Sequence, residues 1–311
     1  MTAWNPSWAD GAAPAPTDLA SALTLLSGPP TRRSAGLTFT VTGPAEVSPS
    51  DEPVLLVHGI GADRRCWAPV LPALAAHHPV LIVDLPGHGG SAPLAQDADA
   101  TAGGLARTVA AALRELGAPT PHVVGNSLGG WVGLELAADD AAASLTALAP
   151  AGLRVVPHRP PLVLTVNRLL ARATAPLRSV LVDPLLGSPT LRGLLLATGS
   201  QAPSAVPADL ARAIVDSVQH CSGYEQVLTA LSRNRFERAG DIDIDLPVTV
   251  VWGDHDRILT AVHQSRQLVP PQTRWVVLPR CGHAPMWDAP EAVVQLVGQT
   301  AATARARSGT I

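Results

Sequence analysis

One serine stands between an apolar run and a helix-forming run in the stretch HVVGNSLGGWVGLEL, residues 122–136. Ser127 has a glycine two positions away on each side, Gly125 and Gly129. This is the spacing of a nucleophile elbow, a sharp strand-to-helix turn that exposes a hydroxyl at the edge of a sheet. Glycines are needed there because side chains would collide in so tight a turn. The pattern therefore predicts Ser127 as a catalytic nucleophile.

A serine hydroxyl needs a base to take its proton and an acid to orient that base. His283 follows a strand-like run and precedes a predicted helix capped at Asp288, so it is predicted to be the base. The acid is expected in LPVTVVWGDHDRIL, residues 246–259, where both Asp254 and Asp256 follow a strand. Position alone leaves these two aspartates open.

The oxyanion that forms on the substrate requires backbone N–H donors. In VLLVHGIGADRRCW, residues 54–67, a strand ends and a glycine-containing turn follows. We predict the N–H groups of Ile60 and Leu128 as the donor pair, with Gly61 as the alternative to Ile60, and His58 as a structural residue. Substrate contacts are predicted beside these motifs, at Gly59, Gly61, Asn126 and Trp287. Trp67, Trp131 and Trp287 all lie near the motifs, and each is expected either to border the site or, as is more common for tryptophan, to belong to the core.

Strand-like and helix-like segments alternate along the chain and must position these side chains. Seven short β-rich runs, bounded by proline or glycine, are separated in several places by Ala/Leu segments with helical spacing. Continuous apolar strands that alternate with helices are typical of a mostly parallel sheet covered on both faces. We therefore predict an α/β fold with a doubly wound sheet.

The alternation stops after Pro150, where only helix-like segments follow for a long stretch. We interpret residues 152–240 as a helical cap inserted into a core formed by residues 36–151 and 241–311. Residues 1–35 are rich in proline, alanine and serine and are predicted to be an irregular leader.

Composition excludes several classes of function. The formal charge is −3 and the 22 basic residues are scattered, so a nucleic-acid partner is not expected. The three cysteines have no metal-ligand or redox spacing and are predicted to be buried, reduced thiols. The most apolar zone is interrupted by arginines, which excludes a membrane span, and the first residues lack the pattern of a secretory signal. A cytoplasmic location is therefore predicted.

Five motifs stand in order along the chain: HGIG from 58, DLPGHGGS from 84, GNSLGG from 125, WGDHD from 252 and GHAPMWDAPE from 282. On these motifs the chain resembles the α/β-hydrolase superfamily, of the bacterial type with a helical cap, from about residue 36 to residue 305. The resemblance implies the α/β-hydrolase fold, with the triad order serine, acid, histidine. It also implies that the acid is the last residue of the WGxxD pattern, Asp256, and that Asp84 and His88 are structural.

The predicted reaction is cleavage of a carboxylic ester, lactone or thioester of a hydrophobic small molecule through an acyl-enzyme, with no metal or organic cofactor. A serine at the elbow distinguishes the chain from the epoxide hydrolase and dehalogenase branches, which use a carboxylate nucleophile. GNSLGG is also similar to the meta-cleavage-product hydrolases, which split carbon–carbon bonds. For such a reaction Arg154, Arg168 and Arg172 are candidates for binding a substrate carboxylate. Two further hypotheses are a biosynthetic acyltransferase or cyclase that uses the same three residues, and a ligand-binding protein without turnover.

Overall fold

The computed structural model describes residues 12–44, 52–155, 162–177 and 182–308. Within these ranges nine strands form one sheet. The strands are β1 (Ala13–Pro14), β2 (Arg32–Ser34), β3 (Leu37–Gly43), β4 (Val54–Val57), β5 (Val80–Asp84), β6 (His122–Asn126), β7 (Ser144–Leu148), β8 (Val248–Gly253) and β9 (Arg274–Leu278). The seven strand-like runs of the sequence correspond to β3 through β9, so this prediction is confirmed.

The strand order is β1-β3-β5-β4-β6-β7-β8-β9, with β2 paired to β3 outside this path. Every neighbouring pair from β5 to β9 along this order is parallel, and β3 runs antiparallel to β5. The mostly parallel sheet is thus confirmed. Because the carboxyl ends of parallel strands meet at one edge, the segments that follow β4, β6, β8 and β9 lie along the same edge. These are the segments that carry the predicted catalytic side chains and oxyanion donors.

Eleven α-helices occur in the described ranges. Some cover the two faces of the sheet, and five follow one another in the chain between β7 and β8. They are α1 (Leu19–Ser27), α2 (Leu71–Ala75), α3 (Ala102–Leu116), α4 (Leu128–Ala138), α5 (Leu162–Thr174), α6 (Asp183–Gly187), α7 (Pro189–Leu196), α8 (Ala208–His220), α9 (Tyr224–Arg233), α10 (Pro285–Asp288) and α11 (Pro290–Ser308). One hydrophobic cluster joins α3 and α4 to Leu55 and Val57 of β4. A second joins α1, α2 and α11 to Val54 and Leu56 of the same strand. The alternation along β4 shows that both faces of the sheet are buried, as predicted for a doubly wound fold.

Local signals set the ends of the helices that cover the sheet. Thr101 precedes α3, and its side chain accepts a hydrogen bond from the N–H of Gly104, which satisfies a free donor of the first turn. Gly117 ends the helix in the left-handed region, with φ of 78°. Between them, leucines and valines such as Leu105 and Val109 are buried in the core. Burying each such side chain stabilises the fold by about 1.5–3 kcal/mol.

Residues 12–35 differ from the irregular leader predicted for residues 1–35. They contain β1, α1 and β2, and both strands pair with β3. Asp18 caps α1 reciprocally with Ser21, and Leu26 is buried in the second hydrophobic cluster. The proline-rich composition conceals this helix because its start depends on one aspartate and one serine, and its stability on packing against distant residues.

Residues 152–240, here called the cap segment, include α5 through α9 between β7 and β8. Helices α6, α7 and α8 build a small hydrophobic cluster of their own around Leu186, Leu196 and Leu210. Gly223 at the start of α9 donates its N–H to the carbonyl of Gly87 in the core, at 3.0 Å. Among the described residues, no helix is both long enough and apolar enough to cross a membrane.

Candidate active site

Ser127 lies in the sharp turn between β6 and α4, with φ of 56° and ψ of −113°. Few non-glycine residues adopt this conformation, which costs about 1–3 kcal/mol and persists only when its surroundings impose it. The surroundings here are backbone atoms. A Cβ atom on Gly125 would collide with the carbonyl of Gly129, and one on Gly129 would collide with the carbonyl of Val57. The Ser127 N–H also donates to the carbonyl of Leu148, at 2.9 Å.

His283 and Asp256 form a hydrogen-bonded pair on the loops that follow β9 and β8. Nδ1 of His283 lies 2.8 Å from Oδ2 of Asp256, and both residues are buried. The other carboxylate oxygen accepts the N–H groups of Ile258 and Leu259, each at 2.8 Å. Burial acts to raise the pKa of Asp256, but the charge and hydrogen bond of His283 and these backbone donors outweigh it and hold the pKa below its ordinary value. The carboxylate is therefore ionised when it faces the imidazole.

Asp254, the other aspartate that follows β8, points elsewhere. Its Oδ1 accepts the N–H of Cys281 at 3.1 Å and lies 2.6 Å from Nδ1 of His255. It is solvent-exposed, and its bond to Cys281 joins the turn after β8 to the loop that carries His283. The aspartate that faces His283 is Asp256.

Ser127 and His283 both line a cavity of about 470 Å³ between the sheet edge and the cap segment. The residues predicted to contact substrate also line it; they are Gly59, Gly61, Asn126 and Trp287. The cap contributes apolar side chains from α5, α6, α7 and α8. Among the described residues, no aspartate, glutamate or arginine lines the cavity. The site therefore suits an uncharged, apolar ligand.

The predicted oxyanion donors lie on two sides of Ser127. Leu128 is the first residue of α4, where backbone N–H groups have no acceptor within the helix. Ile60 lines the cavity, and the turn before it is close to the serine, since a Cβ atom on Gly59 would lie 3.2 Å from Cβ of Ser127. Gly61, the alternative donor, lines the cavity as well.

Asn126, expected to contact substrate, has a further role in the geometry. Its side-chain amide donates to the carbonyl of His283 at 3.0 Å and to that of Leu148 at 3.2 Å. One side chain thus joins the backbone of the His283 loop to the strand beside the elbow. Asn126 also lines the cavity, so the two roles are compatible.

The histidines and tryptophans near the motifs are mostly structural. His58 accepts the N–H of Leu85 through Nε2 and is completely buried, and burial lowers its pKa. His88 lies against it, with ring centroids 5.0 Å apart, and burial lowers its pKa to about 3. Trp67 and Trp131 are buried in the core. The tryptophan that reaches the cavity is Trp287, whose Nε1 donates to the carbonyl of Cys66 at 3.0 Å.

Asp288 is predicted from the sequence to cap a helix, but its carboxylate binds the cap segment instead. It accepts the Ser200 hydroxyl at 2.5 Å, the Gln201 N–H at 2.9 Å and the Gly282 N–H at 2.7 Å. The N–H of Gly282 belongs to the residue before His283. An acid followed by a proline in the first turn of a helix is the signal of a helix cap. The partners of Asp288 in the cap segment lie too far away in sequence to be inferred.

Two more bonds tie residues 197–202, here called the clasp, to the loops of His283 and Asp256. The N–H of Ala284 donates to the carbonyl of Gly199 at 2.9 Å. Arg257, the neighbour of Asp256, donates to the carbonyl of Ala197 at 2.9 Å. Both loops are therefore held by one strip of the cap segment, which no local pattern of the sequence reveals.

The three arginines considered as carboxylate ligands are used for other contacts. Arg154 donates to the carbonyls at the end of α9, including Leu231 at 2.8 Å. Arg168 donates to the carbonyl of Cys221 at 2.8 Å, and Arg172 pairs with Glu225 at 3.0 Å. None of the three lines the cavity. As positioned, these side chains hold cap helices together and leave no cation of this set for a substrate carboxylate.

Comparison with known proteins gives several relatives over most of the chain. It is 33% identical over 247 residues to the dihydrolipoyllysine-residue acetyltransferase component of an acetoin cleaving system from Pseudomonas putida, covering 78% of this chain and 61% of that protein, so it spans about three fifths of that relative's length. It is 34% identical over 204 residues to the epoxide hydrolase EphH of Mycobacterium tuberculosis, covering 62% and 91%. It is 32% identical over 260 residues to a pimeloyl-[acyl-carrier protein] methyl ester esterase of Neisseria meningitidis, covering 78% and 91%.

Among solved structures, the enol-lactonase from Burkholderia xenovorans superimposes with a TM-score of 0.65 at 24% identity, over 85% of this chain and 95% of that one. This likeness shows the fold. The model of the alpha/beta hydrolase family matches residues 54–296. That match takes in all five motifs and far more than half of the sequence, and so the chain belongs to the α/β-hydrolase family and is an enzyme of that family.

Proposed function

We propose that this enzyme hydrolyses an uncharged, lipophilic carboxylic ester, lactone or thioester through an acyl-enzyme on Ser127. The observation that carries the proposal is that Ser127 and His283 line one apolar cavity, with Asp256 bonded to the far side of the imidazole. Among the described residues of that cavity no side chain carries a fixed charge. A charged substrate would need an opposite charge to offset its loss of hydration. An acyl group with an apolar chain is the best match to this lining.

In the proposed mechanism Asp256 accepts the Nδ1–H of His283, which leaves Nε2 as the base. Nε2 takes the hydroxyl proton while Ser127 attacks the substrate carbonyl, and the N–H groups of Ile60 and Leu128 bind the oxyanion. The imidazolium then protonates the leaving group as the tetrahedral intermediate collapses to the acyl-enzyme. Water repeats these steps on the ester of Ser127 and releases the acid.

The residue at the elbow supports acyl chemistry over its competitors. An acyl group carried on a serine is released when water attacks the carbonyl of the serine ester. Epoxide hydrolysis, the reaction for which one relative is named, is a different chemistry. Carbon–carbon bond cleavage of a diketo acid needs a cation for the substrate carboxylate, and Arg154, Arg168 and Arg172 all have other partners. These contacts favour a neutral substrate.

A chain-length series of p-nitrophenyl esters tests the proposal. The enzyme is expected to hydrolyse them, with kcat/KM rising from the acetate to medium-chain esters as the apolar cavity fills. Ser127→Ala should lower kcat at least about a thousandfold with unchanged unfolding temperature. Ser232→Ala is the matched control, because its hydroxyl bonds to Thr229 in α9 and lies outside the cavity.

Three outcomes would contradict the proposed function. Undiminished ester hydrolysis by Ser127→Ala would remove this serine from the mechanism. Covalent labelling of Ser127 by a fluorophosphonate probe without turnover of any ester, lactone or thioester would favour a ligand-binding protein or an enzyme that needs an acyl acceptor other than water. Bleaching of a yellow dienol diketo acid, with no ester turnover, would restore the carbon–carbon hydrolase hypothesis.

A further inference from the structure

The aromatic ring of Tyr224 packs between the cap segment and the turn that follows β4. Tyr224 is the first residue of α9, and its buried side chain lines the cavity. The ring lies so close to Gly61 that a Cβ atom on this glycine would be 2.7 Å from Cε2 of the ring. Gly61 also has φ of 71°, so the backbone conformation and the ring both require glycine there. The ring therefore touches the turn that is predicted to supply an oxyanion donor.

Residues 59–62, here called the oxyanion turn, form a four-residue turn. The N–H of Ala62 donates to the carbonyl of Gly59 at 3.2 Å, and Nδ1 of His58 lies 2.8 Å from the same carbonyl oxygen. A turn closed by one backbone bond can adopt several arrangements of its central peptide groups. Contacts from outside the turn therefore help to decide which arrangement is held, and with it the direction in which the N–H groups point.

Two contacts from α5 hold the ring of Tyr224 against the oxyanion turn. The Tyr224 hydroxyl donates to the carbonyl of Leu164 at 2.9 Å. The guanidinium of Arg168 lies over the ring, 5.1 Å from its centroid, which is close enough for a cation–π attraction. Arg168 is itself buried and donates to the carbonyl of Cys221 at 2.8 Å. The orientation of the ring is therefore fixed from the side of the cap segment.

The hydroxyl of Tyr224 is used for structure and not for acid–base chemistry. Burial raises the pKa of this hydroxyl, so it keeps its proton and acts as a donor. A general acid must point its proton at the substrate, whereas this hydroxyl bonds to the carbonyl of Leu164 in α5. The part of Tyr224 that meets the oxyanion turn is its ring, and any effect on the reaction must pass through that contact.

We propose that Tyr224 is a positioning residue, whose ring holds the oxyanion turn so that the N–H of Ile60 points at the oxyanion. The inference rests on the proposed function, because an oxyanion forms only when Ser127 attacks a carbonyl. It gives the cap segment a part in the chemical step in addition to lining the cavity. Loss of the ring lowers kcat, because an oxyanion donor stabilises the transition state more than the bound substrate.

A matched pair of esters tests the role of the ring. One is an ordinary ester and the other a thionoester, in which sulfur replaces the carbonyl oxygen and accepts hydrogen bonds poorly. The parent chain is expected to hydrolyse the ordinary ester much faster. Tyr224→Leu should lower kcat for the ordinary ester about ten- to a hundredfold and kcat for the thionoester far less, so the ratio of the two should fall about tenfold. Tyr224→Phe keeps the ring and should retain the parent's ratio.

The matched control is Leu195→Ala, which removes apolar volume from the cavity wall in α7. This control is expected to change KM and to keep the parent's ratio. Unfolding temperatures are measured for every variant, and Tyr224→Met, which fills more of the space of the ring, replaces Tyr224→Leu if the latter does not fold. Equal losses on both esters in Tyr224→Leu would overturn the proposal. So would an equal fall of the ratio in Leu195→Ala or in Tyr224→Phe.

Hydrogen exchange without substrate separates this inference from the proposed function. The N–H of Ala62, which closes the oxyanion turn, should exchange at least about tenfold faster in Tyr224→Leu than in the parent chain, Tyr224→Phe or Leu195→Ala. Faster exchange in a chain that hydrolyses no ester would preserve the hold of the ring on the turn and reject the ester hydrolase. Unchanged exchange and an unchanged ratio, in a parent chain that hydrolyses esters, would reject the positioning role and leave the hydrolase intact.

Discussion

The sheet edge and the cap segment enclose the same cavity, but their side chains are arranged in different ways. At the sheet edge, Ser127 and Asp256 follow fully buried strands, and His283 follows the half-exposed edge strand β9. In the cap segment, α5 and α7 direct leucines outward, and part of the cohesion comes from arginines bonded to carbonyl groups. The sheet edge holds the proposed reacting groups, and the cap segment supplies apolar side chains to the cavity wall.

The two regions meet in the clasp and at the Gly87–Gly223 contact. Asp288 and Arg257 hold the clasp against the loops of His283 and Asp256. Gly87 in the core accepts the N–H of Gly223 in the cap segment, and the backbones approach so closely there that a Cβ on Gly87 would lie 2.7 Å from Cα of Gly223. Variants at the sheet edge, in the cap segment and at these two contacts therefore show how much each region contributes to kcat and to the free energy of unfolding.

The largest effect is expected at the sheet edge, for Asp256→Asn. The amide cannot stabilise the imidazolium and favours the wrong tautomer of His283, so kcat should fall roughly 10⁴-fold. Asp254→Asn, two residues away and bonded to Cys281 instead, is the control and should change kcat less than about threefold. Steady-state kinetics on a soluble ester measure both. Equal losses would show that the two aspartates do not divide their roles as the geometry indicates.

A second expected effect concerns stability and compares one glycine from each region. Gly129→Ala places a methyl group against the carbonyl of Val57, which belongs to the backbone of β4 and cannot yield, so the free energy of unfolding should fall by more than about 4 kcal/mol. Gly187→Ala at the end of α6 meets nothing within 4 Å and should change it by less than about 1 kcal/mol. Denaturant unfolding of both variants gives the comparison. A well-tolerated Gly129→Ala would show that the elbow is less tightly packed than the structure indicates.

A smaller effect is expected at the clasp, for Asp288→Asn. Loss of the carboxylate weakens the bonds to Ser200, Gln201 and Gly282, and displacement of His283 by a fraction of an ångström should lower kcat roughly ten- to a hundredfold. KM for a soluble ester should stay within about twofold, because Asp288 does not line the cavity. Asp209→Asn, at an exposed ion pair of α8, is the control. A change in KM alone would assign Asp288 to substrate binding.

At neutral pH the smallest effect is expected for His88, next to the Gly87–Gly223 contact, because its contribution to stability changes only in acid. Its pKa is lowered from 6.5 to about 3 by burial, so between these values the unfolded chain binds a proton that the folded chain does not. Stability from this group is fully present above pH 6.5 and declines as the pH falls toward 3, by up to about 1.4 kcal/mol per pH unit. His88→Asn should therefore show a shallower loss of stability in acid than the parent chain. His77→Asn, on the exposed surface, should keep the parent's slope.

The chemistry-bearing residues can be predicted because each belongs to a short local pattern. Gly125, Ser127 and Gly129 prescribe a tight turn wherever they occur between a strand and a helix. The β-strands are readable because burial on both faces requires continuous apolar runs. Position after β8 does not separate Asp254 from Asp256. The family resemblance implies Asp256, and in the structure Asp256 is the aspartate that the His283 loop approaches.

Several features escape the sequence because they depend on contacts between distant segments. Asp288 resembles a helix cap until Ser200 and Gln201 are brought beside it. Helix α1 is hidden by its proline-rich surroundings, since its stability comes from packing of Leu26 in the core. Periodicity reveals that α5 is amphipathic, but it does not say which side of the helix faces outward.

The sequence by itself determined the elbow, the order of the proposed catalytic residues along the chain and the family, because backbone sterics and apolar periodicity act over a few residues. Only the tertiary structure decided how the clasp joins the cap segment to the loops of His283 and Asp256, and that the leucines of α5 point away from the core. These are distances between side chains far apart in the chain. They are fixed when the sheet brings its carboxyl ends to one edge and the cap helices pack above it.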